Sequence, residues 1–384
     1  MRYFFEAGSF SELSYAELGS VFEVYNISKD SIKKYSESIF VIESNSVDGV
    51  LLDRIFYRLG GFIRYGVLID NLDTFLEQFS NSSKVVFGIS VIGKSDITVK
   101  NIQKLANDLK RNFKQVGVSS RFLMPKQLEL NAAQILNNDI LEKGFELCIL
   151  NTDKEQIYGQ TIGIQDISSF VHRDLDKPAN DYDMGMLPHK LARMMCNLAG
   201  MNEGIVWDPF CGSGTILMEA AILGLDVIGT DIDHRAIDNS INNIRWLAKE
   251  KLIGDIRYNI FPLDIRNIER KKLKDIKRTG VKAVICEPFM GPPQRRVITL
   301  SQANTLIEDV KSLYVSLFKA LDTIAAEGFR VVLIIPSYKT EKGWVSFSIT
   351  DLAGKMWSID SGKDLKWSRN NSIITRNIFV LTRR

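Results

Sequence analysis

The sequence has little of what builds metal centres or disulfide frameworks: four cysteines and three histidines in 384 residues. Cys148, Cys196, Cys211 and Cys286 form no C-x-x-C pair, and His172, His189 and His234 lack ligand spacing. A disulfide-stapled fold and a structural metal site are therefore not expected. No apolar run approaches the roughly 20 residues that span a bilayer. The opening stretch, "MRYFFEAGSFSELSYAEL", carries acids where a secretory leader is apolar. The reading is a cytoplasmic protein with no membrane partner. Internal repeats and low-complexity segments are missing as well. Net charge is only +3, too small to mark the whole chain as a nucleic-acid binder. Proline is scarce, with nine in all, yet Pro288, Pro292 and Pro293 crowd into "VICEPFMGPP" at 284–293.

What is present is uneven. Residues 1–50 carry a net charge of −4 and residues 94–126 a net charge of +6. A second basic run, "RNIERKKLKDIKR", covers 266–278. Each run alone reads as a solvated helix face. Two of them in different parts of one chain point to a polyanionic partner.

Periodicity divides the chain. "YFFEAGS", a helix over "SELSYAELGSVFEVY" with a Ser/Glu capping box, and "SIFVIES" suggest a small α+β unit over 1–65. Residues 66–165 read as a mixed α/β unit. It has a strand "KVVFGISVIG", a helix with Ile102, Leu105, Leu109 and Phe113 on one face, a strand "VSSRFLMP", a helix over "QLELNAAQILNNDILEKG" and a closing hairpin. Residues 166–185 are polar and irregular and read as a linker. From 186 onward short apolar strands alternate with helical segments, the βαβ pattern of a parallel sheet covered on both faces. The best helix is expected over 301–327, with Leu306, Val310, Leu313, Leu317 and Leu321 in one stripe, and the terminal "IITRNIFVLTRR" as an antiparallel strand.

The chemistry-bearing stretch is "VWDPFCGSGTILMEAAILG", 206–224: a strand ending in Asp208, a glycine-rich turn, then a helix. Glycines let the backbone approach a ligand closely. The dinucleotide pattern G-x-G-x-x-G fails because position 217 is Leu, and no Gly-Lys-Ser/Thr follows for a P-loop. S-adenosylmethionine remains. Asp231 ends the next strand, nineteen residues after Gly212, where an acid can hold both ribose hydroxyls. Asp264 ends a third strand and could face the adenine amine. Glu287 ends a fourth. Ligands in open α/β sheets bind at the carboxyl ends of the strands, and four acids in register make four independent helix caps a poor explanation.

"DPFCGSGT" resembles the first motif of Rossmann-fold methyltransferases that act on exocyclic amines of nucleic-acid bases. "RDLDKPANDYDMGMLPHKLA" and "YFFEAGSFSELSYAEL" resemble segments of the THUMP-containing tRNA guanine-10 N2-methyltransferases of archaea and eukaryotes. The resemblance implies a ferredoxin-like unit over 1–65, a THUMP domain over 66–165, a linker over 166–185, and a Rossmann-fold domain over 186–384. That domain would hold a mostly parallel seven-stranded sheet with an antiparallel last strand. The cofactor implied is S-adenosylmethionine and the partner tRNA. The cofactor residues implied are Leu187, Pro188, Asp208, Pro209, Phe210, Cys211, Gly212, Ser213, Gly214, Asp231, Ile232, Asp264, Ile265 and Glu287. Lys94, Lys104, Lys110, Arg111, Lys114 and Arg121 are the implied RNA contacts. A monomer is expected, and an activating subunit is left open.

In that family the fourth motif reads D/N-P-P-Y/F, and "EPFM" stands in its place. Glu287 and the Pro288 carbonyl would accept the two amine hydrogens and Phe289 would stack on the flipped base. The motif departs from the pattern: Glu is longer by one methylene, one proline is missing, and the aromatic comes one place early. A purely structural proline turn competes with this role. His189 is read as a helix-start residue near the cofactor, Thr215 as a helix-start hydroxyl, Cys211 as a packing residue, and Trp207 and Trp246 as core. Three readings follow: a tRNA guanine-N2 methyltransferase, an rRNA or DNA base amino-methyltransferase, or a cofactor-binding RNA-binding protein with impaired catalysis.

Overall fold

The computed structural model describes residues 2–43, 47–180, 186–294, 296–360, 365–369 and 371–384. The chain forms two compact units, Met1–Tyr15 with Tyr25–Ile167, and Ala16–Val24 with Ser168–Arg384.

The strands of the first unit are β1 (Arg2–Ala7), β2 (Ile32–Lys34), β3 (Ile39–Glu43), β4 (Phe62–Ile69), β5 (Lys84–Ile92), β6 (Ser119–Leu123), β7 (Gly144–Asn151) and β8 (Gln156–Ile164). Helix α1 (Ser11–Val24) is divided between the two units after Tyr15, and the first unit's own helices are α2 (Gly49–Arg58), α3 (Leu72–Glu77), α4 (Val99–Gln115), α5 (Ala132–Asn137) and α6 (Ile140–Lys143). The strands make one sheet in the order β2-β3-β1-β4-β8-β7-β5-β6. β4 runs through residue 65, where two segments were expected to meet. It pairs with β1 on one side and β8 on the other, so both segments share this sheet. The pairs of β5 with β6 and β7 are parallel and the rest antiparallel. α4 starts with a capping box between Thr98 and Asn101 and buries Ile102, Ala106, Leu109 and Phe113 beside Phe87 and Phe145.

The helix expected over 127–144 is two short helices. Asp139 between them has φ 50, and an Asn-Asn-Asp run tolerates such a left-handed break. The Asn131 side chain caps α5.

Beyond Ala16–Val24, the chain enters the second unit at α7 (Ile167–Leu175), a helix inside the stretch expected to be irregular. The order of charges there hid a short amphipathic turn that buries Phe170 and Arg173. α8 (His189–Leu198) follows. Then come β9 (Ile205–Asp208), α9 (Thr215–Ile222), β10 (Asp226–Asp231), α10 (His234–Lys249), β11 (Tyr258–Pro262), α11 (Arg270–Arg278), β12 (Val281–Cys286), α12 (Leu300–Ile324) and β13 (Arg330–Thr340). The chain closes with β14 (Gly343–Val345), α13 (Thr350–Ala353), β15 (Trp357–Ile359), β16 (Lys366–Trp367) and β17 (Ile374–Arg383).

The sheet order is β11-β10-β9-β12-β13-β17-β15, with β14 on β13 and β16 on β17. β9 to β13 run parallel, and β17 is antiparallel to β13. This is an α/β Rossmann-like fold with a mixed sheet. The expected seven-stranded sheet gains the short strands β14 and β16, and β15 and β16 pair antiparallel with β17, too brief to show a period in sequence. The strand order turns back between β9 and β12. That is where an open α/β sheet leaves a crevice at its carboxyl ends.

Candidate active site

The crevice holds a cavity of about 680 Å³, inside the roughly 300–1,000 Å³ range of small-molecule sites. Its floor is the turn between β9 and α9. Cys211 donates its N–H to the Thr230 carbonyl at 2.9 Å and Gly214 donates to the Cys211 carbonyl at 2.7 Å. Two side chains of α10 hold the outside of the turn. Ser240 Oγ donates to the Gly212 carbonyl at 2.7 Å, and Asn243 Nδ2 to the Ser213 carbonyl at 2.8 Å. Gly214 has φ 85, and a Cβ there would lie 2.8 Å from Ser240 Oγ. The position therefore demands glycine on two grounds.

Leu217 stands where a dinucleotide site has its third glycine, and it is fully buried. The close approach is supplied instead by Gly229 on β10, where a Cβ would meet Leu217 Cδ1 at 2.4 Å. The helix packs tightly on the sheet with the small residue moved to the strand side.

The four acids expected at strand ends all line this cavity. Asp231 accepts the Gly212 N–H through Oδ2 at 2.9 Å and the Asp233 N–H through Oδ1 at 3.0 Å. Asp208 is buried and accepts the Phe210 N–H at 3.0 Å. Burial pushes its carboxyl well above the usual range, and the Asp231 and Glu287 charges push the same way. Asp264 differs from the expectation. Its carboxylate is engaged locally by the Arg266 backbone and guanidinium and by Asn267, capping the short turn Ile265–Asn267. The Arg266 bond holds its pKa below the ordinary value.

Glu287 leaves β12 into the proline turn and is partly buried, at 13 % side-chain exposure. Its Oε1 accepts a hydrogen bond from Arg376 Nε at 2.6 Å, and Oε2 has no partner among the described residues. Burial raises the Glu287 pKa while the Arg376 charge opposes the rise. Pro288 is buried and Phe289 is 62 % exposed at the rim. The turn is held by Tyr338, whose hydroxyl donates to the Met290 carbonyl at 2.7 Å.

Leu187, Pro209, Phe210, Cys211, Gly212, Ser213, Ile232, Ile265, Pro288 and Phe289 also line the cavity, as does Thr215 at the start of α9. Pro188 and Gly214 do not. Pro188 caps α8, and Gly214 is turned into the helix start. His189 begins α8 but is bonded away from the cavity, through Nδ1 to Glu219 at 2.6 Å. Trp207 is fully buried and donates to Thr230 Oγ1 at 3.0 Å, whereas Trp246 is half-buried with its ring 5.0 Å from that of His172. Sequence reading missed the far wall. Leu306, Asp309, Val310, Ser312 and Leu313 of α12 line the cavity. Three of these, Leu306, Val310 and Leu313, belong to the apolar stripe expected on the helix over 301–327. Arg376 was missed because its strand alternates like any other.

The residues fit S-adenosylmethionine. Asp231 sits at the β10 end for a ribose, the glycine turn gives close backbone access, and apolar Leu187, Ile232, Ile265 and Phe210 offer walls for a purine. In the first unit Lys94, Lys104, Lys110, Arg111, Lys114 and Arg121 are all exposed, with Arg111 paired to Asp108.

Comparison with known proteins supplies the chemical class. Residues 180–345 match a family described as RMKL-like, methyltransferase domain, and residues 75–242 match one described as DNA methylase. The two matches overlap over 180–242, which contains the glycine turn and Asp231. A tRNA (guanine(10)-N2)-dimethyltransferase of Methanocaldococcus jannaschii is 26 % identical over 74 % of this chain and 80 % of its own length. A protein of the same name from Methanothermobacter thermautotrophicus is 27 % identical over 52 % of this chain; the match spans half of that relative. Among solved structures, an rRNA methylase from Streptococcus thermophilus aligns over 52 % of this chain and 98 % of its own, with 17 % identity and a TM-score of 0.31.

Proposed function

We infer that this chain belongs to the tRNA guanine-10 N2-methyltransferase family and transfers a methyl group from S-adenosylmethionine to the exocyclic N2 amine of a guanine in tRNA. The observation that carries the reading is the convergence of the glycine turn, Asp231 and the Glu287-Pro288-Phe289 turn on one cavity. The names of the relatives support the substrate class.

When bound, S-adenosylmethionine supplies an electrophilic methyl on a sulfonium. A guanine amine is a weak nucleophile because its lone pair is delocalised into the ring. Glu287 Oε2 and the Pro288 carbonyl are two acceptors side by side in sequence on one stiff turn. Accepting both amine hydrogens, they pull the lone pair out of conjugation and aim it at the methyl carbon. With the cofactor bound, transfer of its methyl to the amine would leave the sulfur as a neutral thioether, and Glu287 would be placed to take the proton the methylated amine sheds. The protein's part is positioning and electrostatics. Exposed Phe289 at the rim would stack on a base taken out of its helix. Residues 1–65 and 66–165, as a ferredoxin-like unit and a THUMP domain, would bring the RNA to residues 186–384. Lys110 and Arg111 with the other exposed cations of that segment would contact phosphate.

The test is methyl transfer to unmodified tRNA, with rRNA and DNA as competitors and the methylated nucleotide mapped. Glu287→Ala should bind cofactor and tRNA nearly normally and lose on the order of 10²–10³ in rate, as for an acceptor used mainly in the transition state. Full activity in that variant removes Glu287 from the mechanism. Preference for rRNA or DNA would reassign the substrate.

A further inference from the structure

The fourth-motif acid here is Glu, one methylene longer than the Asp or Asn of the resembling enzymes. The structure shows what the longer arm reaches. Arg376 lies on β17, opposite Pro336 of β13 and Trp367 of β16. It is 89 residues from Glu287 in sequence and places Nε 2.6 Å from Oε1. Both side chains are largely covered, at 20 % and 13 % exposure. This is a fixed pair, unlike a surface contact that solvent would loosen.

We propose that Arg376 is a positioning residue for the target amine: it anchors one oxygen of Glu287 so that the other, with the Pro288 carbonyl, makes the two-acceptor site. The proposal rests on the methyltransferase reading above. A free Glu has three rotatable bonds, and its carboxylate would sample several places. Bonding Oε1 to a guanidinium on β17, a strand paired on both sides, leaves Oε2 as the single remaining acceptor, in one place. The extra methylene thereby becomes a requirement. An Asp at 287 would draw the carboxylate back by about 1.5 Å, out of hydrogen-bond range of Arg376.

Arg376 is the one cation acting on this carboxyl among the described residues. The Glu287 charge in turn raises the pKa values of Asp208 at the end of β9, Cys286 on its own strand and Tyr314 on α12. Burial already raises the Glu287 pKa, and Arg376 is the group opposing that rise. Removing the arginine therefore moves the titration of Glu287 upward. A carboxyl that must be ionised to accept the amine hydrogen strongly then fails at a higher pH.

The experiment is single-turnover methylation of unmodified tRNA across pH 5.5–9 by wild type, Arg376→Met, Arg376→Lys, Glu287→Asp and the double variant Glu287→Asp/Arg376→Met. S-adenosylmethionine affinity by calorimetry reports on folding and the cofactor site. Arg376→Met should keep cofactor affinity within about twofold, slow transfer on the order of tenfold to a hundredfold by misplacing the acceptor, and shift the acid limb to higher pH. Arg376→Lys should recover part of the rate. Glu287→Asp should be slower than wild type, and adding Arg376→Met to it should cost little more, because the pair is already broken. A wild-type rate and acid limb in Arg376→Met, or additive losses in the double variant, would overturn the proposal. Loss of cofactor affinity in both Arg376 variants would mark a structural role and also overturn it. Wild-type protein that binds cofactor yet methylates no tRNA would overturn the underlying reading, and this inference with it.

Discussion

The two units solve the same problem with opposite signs. In the first, one buried cation gathers carboxylates: Arg64 on β4 contacts Glu6 at 2.6 Å, Glu146 at 2.5 Å and Glu129 at 3.5 Å. In the second, one buried carboxylate gathers cations. Glu219 on α9 accepts from Arg173 Nε at 2.7 Å, Arg193 Nε at 2.7 Å and His189 Nδ1 at 2.6 Å. Phe170 lies under both guanidiniums. The consequences differ because the surplus charges differ. Surplus carboxylates can take up protons. Surplus guanidiniums cannot lose theirs. Burial lifts Glu6, with Arg64 opposing and Glu129 and Glu146 adding, to a pKa of about 7. Burial also acts to raise Glu219, but Arg193, His189 and Arg173 outweigh it and hold the group far below the carboxylate range.

The sharpest way to break this symmetry is Glu219→Gln. It takes the shared carboxylate charge away from the buried guanidiniums of Arg173 and Arg193, and none of the arginine charge can be shed. A loss of about 3–5 kcal/mol is expected, read by urea unfolding. Arg64→Met should fall toward the lower end of the same ~3–5 kcal/mol range, because its stranded carboxylates can protonate. Its deficit should shrink as the buffer is acidified from pH 7 toward 5, whereas that of Glu219→Gln should hold until pH falls below about 4.5.

A smaller effect sharpens the comparison without mutation. Glu6 has its folded pKa raised from the model-peptide value of 4.5 to about 7. The folded unit binds more protons than the unfolded chain across that window, so its stability falls as pH rises from 4.5 to 7. Glu219 is depressed in the fold. Its contribution is full above the ordinary carboxylate pKa and is lost as pH falls below it. Hydrogen exchange of β4 and β7 amides, corrected for intrinsic rate, should therefore show better protection at pH 5 than at pH 7.5. Amides of α8 and α9 should show no gain on that acidification. Equal slopes in both regions would remove the contrast.

The contrast also marks where sequence reading ends. The glycine turn and Asp208, Asp231 and Glu287 could be read directly, because strand, turn and helix are contiguous and each acid follows an apolar run. The basic face of α4 could be read from its 3.6-residue period. Glu219 could not, since it sits alone in the apolar run "TILMEAAI" and its partners come from residues 173, 189 and 193. Arg64 was hidden inside a strand whose alternation explains itself without a charge. Arg376 was hidden in the same way. Local pattern reveals which face is buried. It is silent on which distant charge a buried face must meet.

Asp231 has a last consequence, for rates. Its two oxygens hold the Gly212 and Asp233 amides, and Ser240 and Asn243 pin the same turn from behind. Little loop ordering remains to be done when the nucleoside arrives. Cofactor association should then be a single diffusive encounter, with an observed rate that rises linearly with ligand concentration and no plateau in stopped-flow fluorescence. Loosening the turn through Ser240→Ala should bend that line before it changes the rate of any later step.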